Sequence, residues 1–222
     1  MGQEHSEAIV VRGVDFSETS RIVTFLTPAR GKLACMAAGV KRPKSAMAGA
    51  LDTFNRLEIV YYWKDGRSVQ KLAEASVRHG FPGLKSELNK SVFAAFPLEL
   101  AYKVAQENEP SQELYMTLVD GLEKLEAWTG AARTHSAWQT MRLLTTAGFE
   151  PDLSCAQSFE VPVRAGTLDL LRELAASIDT CPVRIDQPEA FDSLARYAVR
   201  HVDSEFRSLR VIGQMFGRSG GR

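Results

Sequence analysis

Two periods divide the chain. Up to about residue 80, apolar positions fall in short β-branched runs separated by turn residues; beyond that they recur every three or four residues. The first region predicts five strands. EAIVVRGV (residues 7–14) is a short apolar run, and SRIVTFLT (20–27) alternates with Ile, Val, Thr and Phe. KLACMAAG (32–39) reads as the returning strand, after turn chemistry at Pro28 to Gly31 and before Gly39. FNRLEIVYYW (54–63) is strongly β-prone and is followed by the hairpin pair Asp65-Gly66. SVQKLAEASVRH (68–79) predicts a last strand with a helical tail. Five short strands at this spacing suggest a small closed sheet, because closure removes exposed edges. An OB-type barrel and an SH3-like barrel both fit.

The pattern changes at Phe81-Pro82-Gly83. Leu88, Val92, Phe93, Phe96, Leu100 and Val104 lie on one helical stripe, and Leu114, Leu118, Leu122 and Leu125 on a second. Pro110 separates the two, with Ser111 as the expected N-cap. A third helix is predicted over about 134–147, where Gly148 supplies the C-terminal cap and Pro151 prevents continuation. Residues 149–165 have no period. Helices resume at 166–178 and 188–201, and a last one starts at Asp203 or Ser204. The expected class is α+β: a five-stranded barrel of the OB type over 1–80, then an α-helical domain over 81–222.

Composition adds little to this, and charge adds more. No apolar run approaches the roughly 20 residues of a membrane span, and MGQEHSEAIV lacks the basic start of a signal peptide. A cytoplasmic protein is the expectation. Net charge is zero, yet residues 1–80 carry 12 Lys/Arg against 8 Asp/Glu, and residues 81–185 carry 9 against 14. A basic first third on an acidic middle suits a polyanion-binding module on a helical body.

No Walker A, GxGxxG, HExxH or GxSxG pattern occurs. The four histidines, His5, His79, His135 and His201, stand apart from carboxylates and cysteines at ligand spacing, so no enzyme and no cofactor is expected. Three widely spaced cysteines, Cys35, Cys155 and Cys181, form neither a disulfide framework nor a CxxC pair. The positive signal is cationic. Arg21, Lys32, Lys41, Arg42 and Lys44 crowd into 24 residues, with Arg12 on the preceding strand. Such side chains on a small barrel can track a phosphate backbone by releasing its counterions. Phe16, Phe25, Phe54, Tyr61, Tyr62 and Trp63 supply rings, half or more of which must fill the barrel and the rest of which can stack bases. Pro43 keeps KRPKS out of a regular ladder.

The ordered series Arg12, Ser17–Arg21, Thr27-Pro28, Gly31, Gly39–Lys44 and Leu51–Phe54 resembles the N-terminal region of the bacterial recombination mediator family RecO. The resemblance continues at RLLTTAGFEPDLSCA (142–156) and returns at YAVRHVDSEFRSLRVI (197–212). It implies an OB-fold followed by a helical domain, binding of single- and double-stranded DNA, and annealing of complementary strands without covalent chemistry. It also implies partners: RecR, the acidic C-terminal tail of single-strand-binding protein and, functionally, the recombinase RecA. The alternative reading is an adaptor that docks acidic tails without touching DNA.

Two site expectations follow from the resemblance. Many members carry a four-cysteine zinc site after GFxPxLxxC. Here Cys155 matches its first position, Ser158 stands at the second, and Cys181 is a lone further thiol. Residues 149–185 are therefore read as a zinc-finger-like segment that has lost its metal. An acidic tail with a terminal aromatic needs an apolar groove rimmed by cations. The third helix offers Arg133, Trp138 and Arg142 for that role, with Trp138 and Arg142 as i,i+4 neighbours.

Overall fold

The computed structural model describes residues 2–43, 45, 47–159 and 161–217, the side chain of Ser158 excepted. Lys44 and most of the final GRSGGR lie outside the described residues. The five expected strands are β1 (Gly2–Asp15), β2 (Arg21–Thr27), β3 (Gly31–Ala37), β4 (Arg56–Trp63) and β5 (Gln70–His79). They close into a barrel in the order β1-β2-β3-β5-β4, through a parallel β3–β5 contact at Cys35↔Gln70 and Met36↔Lys71. This is the OB-type solution. Strand β1 serves both edges: its first half pairs with β4 and its second half with β2, with a bulge between Val10 and Arg12 where it changes direction. Val23, Phe25, Leu33, Cys35, Ile59, Tyr61 and Leu72 fill the interior.

Two strand boundaries differ from the pattern. The polar start, Gly2 to Ser6, is strand because β4 from Trp63 to Ile59 pairs with it; ladder hydrogen bonds, not apolar alternation, hold it. Residues 70–79 stay extended throughout, with no helical tail. Pairing of Leu57 with Val77 and of Arg56 with His79 overrides the helix-prone Leu72-Ala73-Glu74-Ala75 run.

The helices are α1 (Pro82–Ser86), α2 (Leu88–Val104), α3 (Gln112–Ala127), α4 (Ala132–Thr146), α5 (Ala165–Ala176), α6 (Pro188–Val202) and α7 (Arg207–Phe216), with one 3-10 turn at Ala156–Ser158. The chain forms two units, Met1–Phe81 with Ala105–Val119, and Pro82–Val104 with Asp120–Arg222. In the first, the returning segment joins the barrel at Gly31. The Lys32 N–H donates to Gln106 O at 2.9 Å and the Ser111 N–H to Pro28 O at 2.8 Å. Ser111 stands at the expected N-cap position of α3: its carbonyl accepts from the Tyr115 N–H at 2.9 Å, while its hydroxyl donates to Glu109 O.

In the second unit α4 is the buried centre; from Ala132 to Leu144 only Arg133 and Arg142 keep part of their surface. Rings of Phe93, Phe96, Phe191 and Phe206 pack at 5.1–5.5 Å between centroids. Pro97 inside α2 has no N–H, which orphans the carbonyl of Phe93 four residues earlier. The Ser136 hydroxyl on α4 repairs this, donating to Phe93 O at 2.7 Å. The end of α4 matches expectation: Gly148, at φ 78, closes it with N–H bonds from Gly148 to Thr145 O and Phe149 to Leu144 O. Helix α7 starts at Arg207, later than expected, because Asp203 takes the left-handed conformation at φ 48 that stops α6.

Candidate nucleic-acid interface

Alternation sorts each barrel strand into inward and outward residues. With Val23, Phe25, Leu33, Cys35 and Ala37 inside, Ile22, Thr24, Ala34 and Met36 face outward. Register then joins them across strands. Val14 pairs Ile22, Ile22 pairs Met36, Met36 pairs Lys71, and Lys71 pairs Tyr62. A second row runs Arg12, Thr24, Ala34. The outer girth is thus an apolar strip edged by cations and rings. The Lys71 ammonium lies 5.6 Å from the centre of the Tyr62 ring. Val14 is 46% and Phe16 63% exposed, an unusual display of apolar surface at one hairpin.

Two hairpins flank this strip. The β1–β2 connection is tied by the Phe16 N–H to Ser20 O and by the Ser20 N–H to the Ser17 hydroxyl. The turn after β3 docks on it: the Lys41 N–H donates to Thr19 O at 3.0 Å, and the Gly39 N–H to Ser20 Oγ at 3.4 Å. On the other side Gln70, buried, clamps the β4–β5 hairpin, accepting from the Lys64 N–H and donating to Lys64 O and Arg67 O. Lys64, Arg67 and Lys71 are exposed there. Beside it Arg30 lies 4.0 Å over the Trp63 ring and 2.8 Å from Glu4, which also accepts from the Tyr61 hydroxyl. Burial and this carboxylate push the Tyr61 phenol well above its ordinary range.

Of the six expected cations Lys44 lies outside the described residues, and the structure divides the other five. Arg21 shares its parity with inward Val23 at the strand end, so it sits at the barrel mouth, 3.4 Å from Asp15. Lys41 reaches the same carboxylate at 2.8 Å. Arg42 is exposed beside them and makes no ion pair among the described residues. Arg12 lies outward and exposed on the adjoining strand. Lys32 is apart: it stands at the opposite end of β3, five residues or about 16 Å from Ala37, next to Glu107. Of the expected rings, Phe25, Phe54 and Tyr61 are core residues, while Phe16, Tyr62 and Trp63 keep surface. Met36, Tyr62 and Lys71 join one surface only through the β3–β5 and β4–β5 registers, which no local pattern reveals.

Of the expected tail-binding trio on α4, Trp138 is buried and the two arginines, which keep part of their surface, are engaged within the helical unit. Trp138 is fully buried and its indole N–H donates to Ser177 O at 2.6 Å, so the ring presents no face to a ligand. Arg142 stacks 4.6 Å from that ring and pairs with Asp120 at 2.8 Å, and Arg133 pairs with Asp186 at 3.6 Å.

Among the described residues the zinc-finger-like segment shows no set of donors for zinc. Cys155 is exposed, whereas Cys181 is buried, donates to Val183 O and has its thiol pushed up to about 11 by burial. Among the described residues no three His, Cys, Asp or Glu side chains group to hold a metal. Other contacts hold the loop. Arg172 donates to Leu153 O and Ser154 O, the Tyr197 hydroxyl to Glu150 O, and Phe159 buries against the Tyr197 ring.

Known proteins agree with this architecture. The family model described as recombination protein O N terminal matches residues 1–81, and that for recombination protein O C terminal matches residues 85–159. A DNA repair protein RecO of Salinibacter ruber is 32% identical over 138 residues, which are 62% of this chain and 52% of that protein. One from Shouchella clausii is 32% identical over 150 residues, 67% of this chain and 57% of its own. Another from Chlorobium limicola is 31% identical over 173 residues, 77% and 66% of the two chains. The matched stretch thus spans about half to two thirds of these relatives. No helix among the described residues is long and apolar enough to cross a membrane.

Proposed function

The chain belongs to the recombination protein O family, and on that premise we propose that it is a DNA-binding recombination mediator of DNA repair. It binds single strands, anneals complementary ones and helps load recombinase onto DNA coated with single-strand-binding protein. No covalent bond changes in this work. The observation that carries the reading is the outer row Val14–Ile22–Met36–Lys71–Tyr62, with exposed Phe16 and the Lys41–Arg42 turn beside it. Apolar and aromatic surface takes unstacked bases, and flanking cations take phosphates. A duplex, whose bases are stacked inward, would use only the cations. RecR, the acidic tail of single-strand-binding protein and RecA are the partners this reading assigns.

The test is anisotropy of a labelled single-stranded oligonucleotide across a salt series. Replacing Lys41, Arg42 and Lys44 by Ala weakens binding and lowers the log–log salt slope by about 2 units, at about 0.7 per phosphate on a single strand. An unchanged slope and affinity would move the strand off this end of the barrel.

A further inference from the structure

In the helical unit most arginines are spoken for. Arg133, Arg142, Arg164, Arg172 and Arg210 hold carboxylates, and Arg184 lies over Trp128. Arg196 and Arg200 differ. They are exposed i,i+4 neighbours on α6 and, like exposed Arg207, make no ion pair among the described residues, although the charge of Asp192, one turn earlier, acts on Arg196. On the adjoining stripe of the same helix Tyr197 and His201, again i,i+4, stack with centroids 3.8 Å apart and planes 19° from parallel. Phe159 packs 5.7 Å from Tyr197 with its plane tilted by 58°, so the stacked pair is Tyr197 and His201.

Both rings of the stacked pair are fixed. The Tyr197 hydroxyl donates to Glu150 O at 3.3 Å, and His201 Nδ1 lies 2.9 Å from Tyr197 O. Because a carbonyl only accepts, Nδ1 carries the hydrogen, and the imidazole is held in one orientation. His201 is exposed while Tyr197 is only partly so, and the imidazole is therefore the exposed member of the stacked pair. Its bond to Tyr197 O serves the last turn of α6, a role that uses only one edge of the ring. An orientation fixed in advance does serve stacking, since no rotamer entropy is lost when a flat ligand arrives.

We propose that this stripe is a second single-stranded nucleic-acid site, with a base stacked on His201 and the adjoining phosphates on Arg196 and Arg200. The inference rests on the nucleic-acid reading of the barrel, and goes beyond it by giving one chain two places for a strand. Two strand sites on one molecule are what annealing needs: complementary strands held by separate surfaces meet at high effective concentration.

The test uses the full chain and an oligothymidine carrying 5-iododeoxyuridine. Irradiation followed by peptide mass spectrometry yields cross-links within residues 196–201 as well as on the barrel. In anisotropy, His201→Ala lowers affinity by about fivefold or more, the loss of one base stack. His201→Phe, which keeps a ring, retains it. Arg196→Glu with Arg200→Glu lowers the salt slope by about 1.4 units, for two phosphates. Cross-links confined to the barrel, with His201→Ala binding as wild type, would overturn the second site and leave the barrel reading standing. A wild-type chain that binds no oligonucleotide overturns both.

Discussion

The carboxylate of Asp15 lies 2.8 Å from the ammonium of Lys41, and the same carboxylate stands 3.4 Å from Arg21. One exposed acid at the end of β1 thus engages two of the expected phosphate-binding cations from β2 and from the turn after β3. The hydrogen bond from Lys41, followed by the charges of Lys41 and Arg21, holds the Asp15 carboxyl below its usual range. A phosphate reaching this end competes with Asp15 for both cations. Asp15→Asn removes the competitor, so affinity for a single-stranded oligonucleotide rises severalfold, and the salt slope steepens by about 0.7 for each cation freed. Titration at three salt concentrations measures both; a fall in affinity would mean that Asp15 positions the cations and does not compete for them.

Phe16 is the most exposed ring of the barrel, at 63%. Removing it therefore costs folding little and binding more. Phe16→Ala leaves the thermal midpoint within what a surface change of about 0.5 kcal/mol allows, and lowers oligonucleotide affinity by about fivefold or more. Equal binding by the variant would restrict the base-contacting surface to the Met36–Lys71–Tyr62 part of the row.

The strand count and the helical body were legible in the sequence, because each depends on local period. What was not legible depends on pairing between distant segments. Tyr62 reaches Met36 only through Lys71, by a parallel contact between β3 and β5 that no turn announces. Residues 105–119 return to the barrel through backbone bonds at Gly31 and Pro28, which leave no trace in side-chain pattern. Trp138 and Arg142 were correctly placed as neighbours on one helix. Their i,i+4 spacing could not say which way that face points, and it points into the core.

His135 on α4 is 1% exposed, packs against Trp128 and Trp138, and neither ring nitrogen has a hydrogen-bond partner among the described residues. Burial, together with the charges of Arg142, Lys124 and Lys90 against that of Asp120, lowers its pKa from 6.5 to about 3. Between those values the unfolded chain binds a proton that the folded chain does not. Stability is therefore undiminished above pH 6.5 and falls as pH drops toward 3, by up to about 1.4 kcal/mol per unit from this group alone. His135→Leu lacks the effect. Urea titrations at pH 7.5 and 5 give a wild-type loss larger than the variant's by about 2 kcal/mol, because carboxylate contributions are common to both. Parallel losses would place a proton acceptor beside His135.

Zinc is expected to be absent from the purified chain, since Cys155 is exposed, Cys181 is buried, and no third ligand joins either among the described residues. Elemental analysis of protein grown with and without added zinc gives well under one zinc per chain. Arg172→Ala, which removes the bonds to Leu153 O and Ser154 O, then raises protease sensitivity in residues 149–165. One tightly held zinc per chain would contradict the reading.

Gly31 opens β3 at φ +54, and a Cβ there would lie 2.4 Å from Gln106 O and 2.6 Å from Glu109 O. Both obstacles are backbone atoms, so relief requires moving the segment that packs on the barrel. The bonds from Lys32 N–H to Gln106 O and from Ser111 N–H to Pro28 O hold that segment, and both are strained by any shift. Gly31→Ala thus meets two costs: about 1–2 kcal/mol for an L-residue in the left-handed region, and about 1 kcal/mol for each hydrogen bond lost. A total near 3 kcal/mol is expected in urea unfolding. Gly31→Asn separates the two, because Asn tolerates the left-handed region but carries the same Cβ; it recovers less than half of the loss if the clash dominates. Gly49→Ala is the control, with no atom within 4 Å of its Cβ and an expected change within about 0.5 kcal/mol. Amide exchange at Lys32 reads the contact directly and is faster in both Gly31 variants. A Gly31→Ala chain as stable as the control would show that the 105–119 segment moves aside at no cost.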